Sequence, residues 1–237
     1  EAFKNCRKMT AVRLPETLTE TGKHVFENCI CLTEISLPAS IRKMGNAAFI
    51  HCLSLSRASI ADGIQSLGES TFLECCSLEE IELPDSIRII SFSMFWHCRS
   101  LKRVTAGAQT EIIARDAFRG CGSLTALSIP SCIRSVGKNA FGGTPLETED
   151  PDGICIISGK IFYSCTENQK QLQIPDGITV IAEDACSGNE SLKTIYCPDT
   201  LLGIGRHAFK DCRRLERVYL NNGLTAIEAG AFEGCRK

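Results

Sequence analysis

Phenylalanine returns at a fixed interval: Phe3, Phe26, Phe49, Phe72, Phe95, Phe118 and Phe141 are each 23 residues apart, and after an interruption Phe209 and Phe232 keep the same step. No other feature constrains the fold as tightly. With such a period each repeat is one supersecondary unit whose apolar face is too small to bury alone, so consecutive units must stack into a solenoid. The rest of the unit keeps register with the ring. LTEISLPASIRKMGNAAFIHC, from Leu32 to Cys52, aligns with LEEIELPDSIRIISFSMFWHC, from Leu78 to Cys98, and the average unit reads L-x-x-I-x-L-P-x-x-I-x-x-I-G-x-x-A-F-x-x-C-x-x.

Each part of the unit has a structural reading. In L-x-x-I-x-L-P, the alternation of Ile35, Ser36 and Leu37, or Ile81, Glu82 and Leu83, predicts a short strand with one apolar and one polar face. Proline follows at Pro15, Pro38, Pro84, Pro130, Pro175 and Pro198, where the missing N–H ends the pairing. Polar or glycine pairs such as Asp176-Gly177 turn the chain, and I-x-x-I, as in Ile87 to Ile90, predicts a second extended segment. Finally x-x-A-F-x-x-C predicts a short helical or 3-10 turn, because Ala48, Phe49 and Cys52 share a side at spacings of three and four. Strands then pair in parallel from unit to unit. Roughly ten stacked units spaced by about 4.8 Å predict a curved rod about 50 Å long.

Composition narrows the function. The apolar fraction of 43% is enough for a core, while 26 basic against 28 acidic residues give a net charge of −2 and no pull toward nucleic acid. No apolar run approaches the roughly 20 residues of a membrane span, and EAFKNCRKMT lacks the regions of a signal peptide. The chain starts at EAF and stops at EGCRK without polar capping units, which predicts a fragment of a longer protein.

The pattern LPDSIRIIS followed by F-x-x-C-x-S-L at 23-residue spacing resembles the BspA-like leucine-rich repeats of bacterial surface proteins. The resemblance covers nearly the whole chain. It implies a leucine-rich-repeat solenoid over residues 1–237, with regular repeats in 1–141 and 172–237 and an irregular repeat in 142–171. Phe141 to Cys186, which stands in the Phe position of EDACSG, is 45 residues against 46 for two periods, so one unit is rewritten with one residue lost. Within it Ile154 to Ile157 and Lys160 to Ser164 flank Ser158-Gly159, which predicts a β-hairpin. The resemblance further implies an adhesion or host-interaction role, a cell-surface or secreted location, and no catalytic residues or cofactor.

Fifteen cysteines raise the question of disulfides or metal. Eight share one slot, three residues after the Phe position: Cys6, Cys29, Cys52, Cys75, Cys98, Cys121, Cys212 and Cys235. Equivalent slots in stacked units point the same way, a poor approach for a disulfide, so a buried ladder of free thiols is expected. Cys29 with Cys31, and Cys75 with Cys76, lack the second pair that zinc would need. Cys155 and Cys165 sit in the two arms of the hairpin and are placed to cross-link, but the odd cysteine total and the reduced ladder favour two free thiols. His24, His51, His97 and His207 form no catalytic or metal constellation and are expected as solvated loop residues, and the Gly22, Gly45, Gly68, Gly137 and Gly205 slot as a turn.

Binding is then expected on the outward strand positions. They form two columns, Ala11, Glu34, Arg57, Glu80, Arg103, Ala126, Gln171, Thr194 and Arg217, and Arg13, Ser36, Ser59, Glu82, Thr105, Ser128, Gln173, Tyr196 and Tyr219. Tyr and Arg are enriched at interface hot spots, so Thr194, Tyr196, Arg217 and Tyr219 are the candidate patch. The expected function is a non-enzymatic interaction module for a protein or glycan ligand, the alternative a structural stalk.

Overall fold

The computed structural model describes residues 1–166 and 169–236. The chain forms two compact units, Glu1–Pro130 with Asn139–Leu146, and Ser131–Lys138 with Glu147–Lys237.

In the first unit the leading strand of the repeat recurs as β1 (Glu34–Leu37), β2 (Arg57–Ile60), β3 (Glu80–Glu82), β5 (Arg103–Thr105) and β7 (Ala126–Ser128). β1 pairs with β2, and β3 with β5 and β5 with β7, all parallel and displaced by one full repeat, as Glu34 opposite Arg57 and Ile81 opposite Val104. Ile35, Leu37, Ile81 and Val104 point into the core, while Glu34, Ser36, Arg57, Ser59, Glu80 and Glu82 are exposed. The second segment pairs as β4 (Ile89–Ile90) with β6 (Ile112–Ile113).

Behind the strands the Phe rings form one continuous stack. From Phe3 to Phe141 successive centroids are 5.2 to 5.6 Å apart and the planes differ by 2° to 9°. Phe26, Phe49, Phe72, Phe95 and Phe118 are fully buried. This packing follows from the period: a residue repeated at every turn of a parallel stack lies directly above its copy, one strand spacing away.

The expected helical turns do not form; among the described residues there is no helix. The residues two before and two after the Phe position adopt left-handed backbone, as in His24 (φ 55°), Asn28 (58°), His51 (60°), His97 (57°) and Asn139 (55°). A helix needs consecutive right-handed residues, so these two positions break it on either side of the ring. Alternate N–H groups turn along the stack instead: those of His24, Phe26 and Asn28 donate to the carbonyls of Asn46, Ala48 and Ile50 at 2.9, 2.8 and 3.0 Å. Of the expected local turn there remain isolated three-residue closures, Glu27 N–H to the His24 carbonyl at 3.4 Å and Cys29 N–H to the Phe26 carbonyl at 3.1 Å. The glycine slot also differs from its expected role. At Gly45 φ is not positive, and an added Cβ would lie 2.5 Å from the carbonyl carbon of Gly22, so glycine is needed there for the close approach of backbones rather than for a turn.

The second unit contains β8 (Ser135–Val136), β9 (Ile154–Ile157), β10 (Ile161–Cys165), β11 (Gln171–Gln173), β12 (Val180–Ile181), β13 (Thr194–Tyr196), β14 (Gly203–Ile204), β15 (Arg217–Tyr219) and β16 (Ala226–Ile227). β9 and β10 form the expected antiparallel hairpin, closed by Ser158 (φ 51°) and Gly159 (φ 63°), two successive left-handed residues that suit a two-residue turn. β10 then pairs in parallel with β12, which continues through β14 to β16, while β11, β13 and β15 form a second parallel sheet. The hairpin therefore takes up the repeat in place of a second segment. The leading strand occurs five times in the first unit and three in the second, as β11, β13 and β15, giving about eight turns rather than ten. Residues 11–14 form no strand, and the rewritten unit spends its residues on the hairpin.

The cysteines divide differently from expectation at one point. Cys165 is joined to Cys186, with Cα atoms 5.5 Å apart, and Cys155 is a buried thiol outside the bridge. An irregularity between Phe162 and Ser164 sets Cys155 opposite Ser164, so the two hairpin cysteines are out of register. The Cys165 N–H donates to the Ala185 carbonyl at 3.0 Å, as the Phe26 N–H does to Ala48, which places Cys165 in the Phe position one turn before Cys186. The bridge thus occupies two successive ring positions, and equivalence of slots does not itself prevent cross-linking.

Candidate functional site

The candidate surface is built on the sheet of β11, β13 and β15. Leu172, Ile195 and Val218 align on its inner side, and Gln171, Thr194 and Arg217, then Gln173, Tyr196 and Tyr219, align on its outer side. Parallel, in-register pairing makes these columns, because the strand period of two repeats on the same face at every turn. The Tyr196 and Tyr219 rings stack at 4.8 Å with planes 3° apart. Tyr219 is 50% exposed, Arg217 is exposed and Tyr196 is half-buried. Thr194, flanked in register by Gln171 and Arg217, is only 6% exposed and adds little surface. The two rings cover each other's faces, which holds both side chains in one arrangement and leaves their edges directed outward. Lys193 and Glu216, 3.7 Å apart, immediately precede β13 and β15.

The first unit carries its own outer strand face. A hollow of about 390 Å³ there is lined by Arg13, Glu16, Glu34, Ser36, Arg57 and Ser59 among others, and further hollows over β2 and β3 add Glu79, Glu80 and Glu82. Apart from Glu16 and Glu79, these residues belong to the outward columns read from the sequence, but with no aromatic among them nothing there singles the place out. A separate trough of about 600 Å³ follows the glycine slot past Gly22, Gly45 and Gly68 to Ser91.

The ladder cysteines Cys29, Cys52, Cys75, Cys98, Cys121 and Cys212 are buried, each inside its own unit. The thiols of Cys29, Cys52, Cys75, Cys98 and Cys121 each donate to the carbonyl of the Phe one repeat earlier at 3.0 to 3.2 Å. Cys212 makes the same bond to the Cys186 carbonyl at 3.2 Å. Burial pushes the Cys52, Cys121 and Cys212 thiols up to about 12 and those of Cys75 and Cys98 well above the ordinary value, so all remain protonated donors. Such thiols are poor nucleophiles and poor metal ligands. Among the described residues no group of three His, Cys, Asp or Glu converges to hold a metal ion, and no helix is long and apolar enough to cross a membrane. The histidines instead fill left-handed positions, with His51 Nε2 3.7 Å from Glu74 and His207 Nε2 3.5 Å from Glu233.

Comparison with known proteins places this geometry. The family model described as BspA type leucine rich repeat region matches in six copies, over residues 1–125 and 111–237. None of the curated proteins compared matches the chain. Among solved structures, a leucine rich cell surface protein from Faecalibacterium prausnitzii is 22% identical with a TM-score of 0.51, over 92% of this chain and 75% of that one. The pneumococcal vaccine antigen PcpA is 25% identical with a TM-score of 0.43, over 81% of this chain and 52% of its own, so this chain spans about half of that structure. A T. pallidum leucine rich repeat protein is 27% identical with a TM-score of 0.32, over 66% of this chain and 65% of that one.

Proposed function

Because this chain belongs to the BspA-type leucine-rich-repeat family, we propose that it is a non-enzymatic interaction module that presents its strand face to a protein or glycan ligand in cell-surface adhesion. The observation that carries this reading is the outer face of β11, β13 and β15, where a stacked Tyr196–Tyr219 pair stands beside the exposed Arg217. Ordered aromatic and guanidinium side chains on a rigid sheet lose little entropy on binding, the property of interface hot spots. Placement at a cell surface follows the bacterial surface proteins that this repeat type resembles.

Beads carrying the chain are expected to be retained on cultured epithelial cells or on a mucin-coated surface, and a Y196A/R217A/Y219A variant to lose retention several-fold. Equal retention of that variant, or no retention of the unmodified chain on either surface, overturns the reading. A second reading, a stiff spacer inside a larger surface protein, is favoured by the unbroken ring stack from Phe3 to Phe141 in the first unit. It expects no retention on either surface.

A further inference from the structure

Arg57 stands on the outer strand face of the first unit without an ion-pair partner among the described residues. It is in register with Glu34 and shares the neighbouring hollows with Glu80, yet no carboxylate among the described residues comes within ion-pair distance of its guanidinium. Elsewhere on the same unit such pairs close: Arg103 reaches Glu80 at 3.8 Å, Lys102 reaches Glu79 at 2.9 Å and Arg88 reaches Glu111 at 3.0 Å. Arg13 and the hydroxyls of Ser36 and Ser59, which line the same hollow, likewise have no partner among the described residues.

We propose that this hollow binds an acidic sugar residue, its carboxylate on the Arg57 guanidinium and its hydroxyls on Ser36, Ser59 and Glu34. Four observations select this ligand class. At about 390 Å³ the hollow has the size of a small-ligand site. Arg13 and Arg57 are balanced by Glu16 and Glu34, so the lining is neutral and suits a ligand with one negative charge and many hydroxyls, not a polyanion. The guanidinium fork matches a carboxylate in geometry, and charge-assisted bonds make up for the lack of an aromatic ring on which a neutral sugar would stack. The main-chain hydrogen bonds between β1 and β2 run in the plane of the sheet, so the outer face offers side chains, which satisfy sugar hydroxyls but leave the amides of a peptide unpaired. The site lies in a different unit from Tyr196 and Tyr219 and stands whether or not that patch binds.

The test titrates the full chain with sialyllactose and trigalacturonate, with lactose as neutral counterpart and a glutamate-rich decapeptide as a carboxylate without sugar, followed by calorimetry or ligand-observed NMR. At least one acidic sugar is expected to bind at least about tenfold more tightly than lactose, and R57Q to weaken it by about tenfold or more, the loss of one charged hydrogen-bond pair. R214Q, which removes the same charge from an exposed site in the other unit, is expected to leave that affinity unchanged. Arg57 is exposed, so an unshifted thermal transition in R57Q shows that the fold is kept. The proposal is overturned if neither acidic sugar exceeds lactose, if R57Q binds as the unmodified chain does, if R214Q weakens binding equally, or if the decapeptide binds as tightly with the same sensitivity to R57Q.

Discussion

Replacing Phe95 with Ala should be among the most damaging single changes in the first unit. The ring is fully buried and lies between Phe72, 5.6 Å away with planes 2° apart, and Phe118, 5.4 Å away with planes 4° apart. Loss of a buried Phe side chain and the cavity it leaves cost about 3 to 5 kcal/mol. Each aromatic pair adds about 0.5 to 1.5 kcal/mol beyond burial, so F95A, which loses two pairs, should cost about 4 to 8 kcal/mol. Phe3 is the internal control: it is 39% exposed and stacks on Phe26 alone, at 5.3 Å. F3A should cost about 2 kcal/mol, and F95L, which keeps most of the volume and loses only the ring contacts, about 1 to 2 kcal/mol. Urea unfolding followed through Trp96, the chain's one tryptophan and the neighbour of the mutated residue, reports on this unit directly. Because stacked repeats couple to their nearest neighbours, exchange of the Phe72 amide, which donates to Met94, should accelerate with it. An F95A cost below about 1.5 kcal/mol, or one equal to that of F3A, would refute the reasoning.

The thiols make stability depend on alkaline pH. Burial raises Cys52, Cys121 and Cys212 to about 12, and Cys155 and Cys197 to about 11, from 9.0. The unfolded chain therefore loses these protons first; the stabilisation is complete below pH 9 and is lost as pH rises from 9 to 12. Urea midpoints should hold from pH 7 to 9 and fall above it, and a flat profile to pH 11.5 would contradict the buried ladder. Of fifteen cysteines, thirteen should react with a thiol reagent in denaturant without reductant and all fifteen after reduction, with Cys165 and Cys186 recovered as one cross-linked peptide. Gly22 and Gly45 occupy one slot but should respond oppositely. An added Cβ meets nothing within 4 Å at Gly22, so G22A should be neutral or stabilising by up to about 1 kcal/mol. G45A drives its Cβ into the Gly22 backbone and should cost about 1 to 3 kcal/mol or more, read from thermal unfolding.

The stacked architecture could be read from the chain because a strict period carries every buried side chain to the same place in successive turns, as Phe26, Phe49 and Phe72 show. The turns around the ring could not be read from apolar spacing, since Ala48, Phe49 and Cys52 fall on one side in a helix and equally in the observed arrangement. The distinguishing signal lay in the polar letters: Asn, His, Asp and Gly recur two residues from the ring, at Asn5, His24, Asn28, His51, His97, Asp116, Gly120, Asp184, His207 and Asp211, and these types tolerate left-handed backbone. Cys165 was hidden for another reason. The hairpin unit loses one residue, so its ring position falls out of the 23-residue count and is marked instead by the bond from the Cys165 N–H to Ala185. The outer strand columns were evident from alternation, but the burial of Thr194 and the unpaired state of Arg57 depend on side-chain placement that alternation does not specify.

The claim beneath both structure and function is that the repeated Phe and Cys residues are architecture, joined from turn to turn by hydrogen bonds along the stack. Couplings transmitted through hydrogen bonds in NMR test it directly. The amides of Phe26, Phe49 and Phe72 are expected to couple to the carbonyls of Ala48, Thr71 and Met94, each 22 residues later in the chain. Couplings from those amides to carbonyls four residues earlier would mean helical turns and would contradict it.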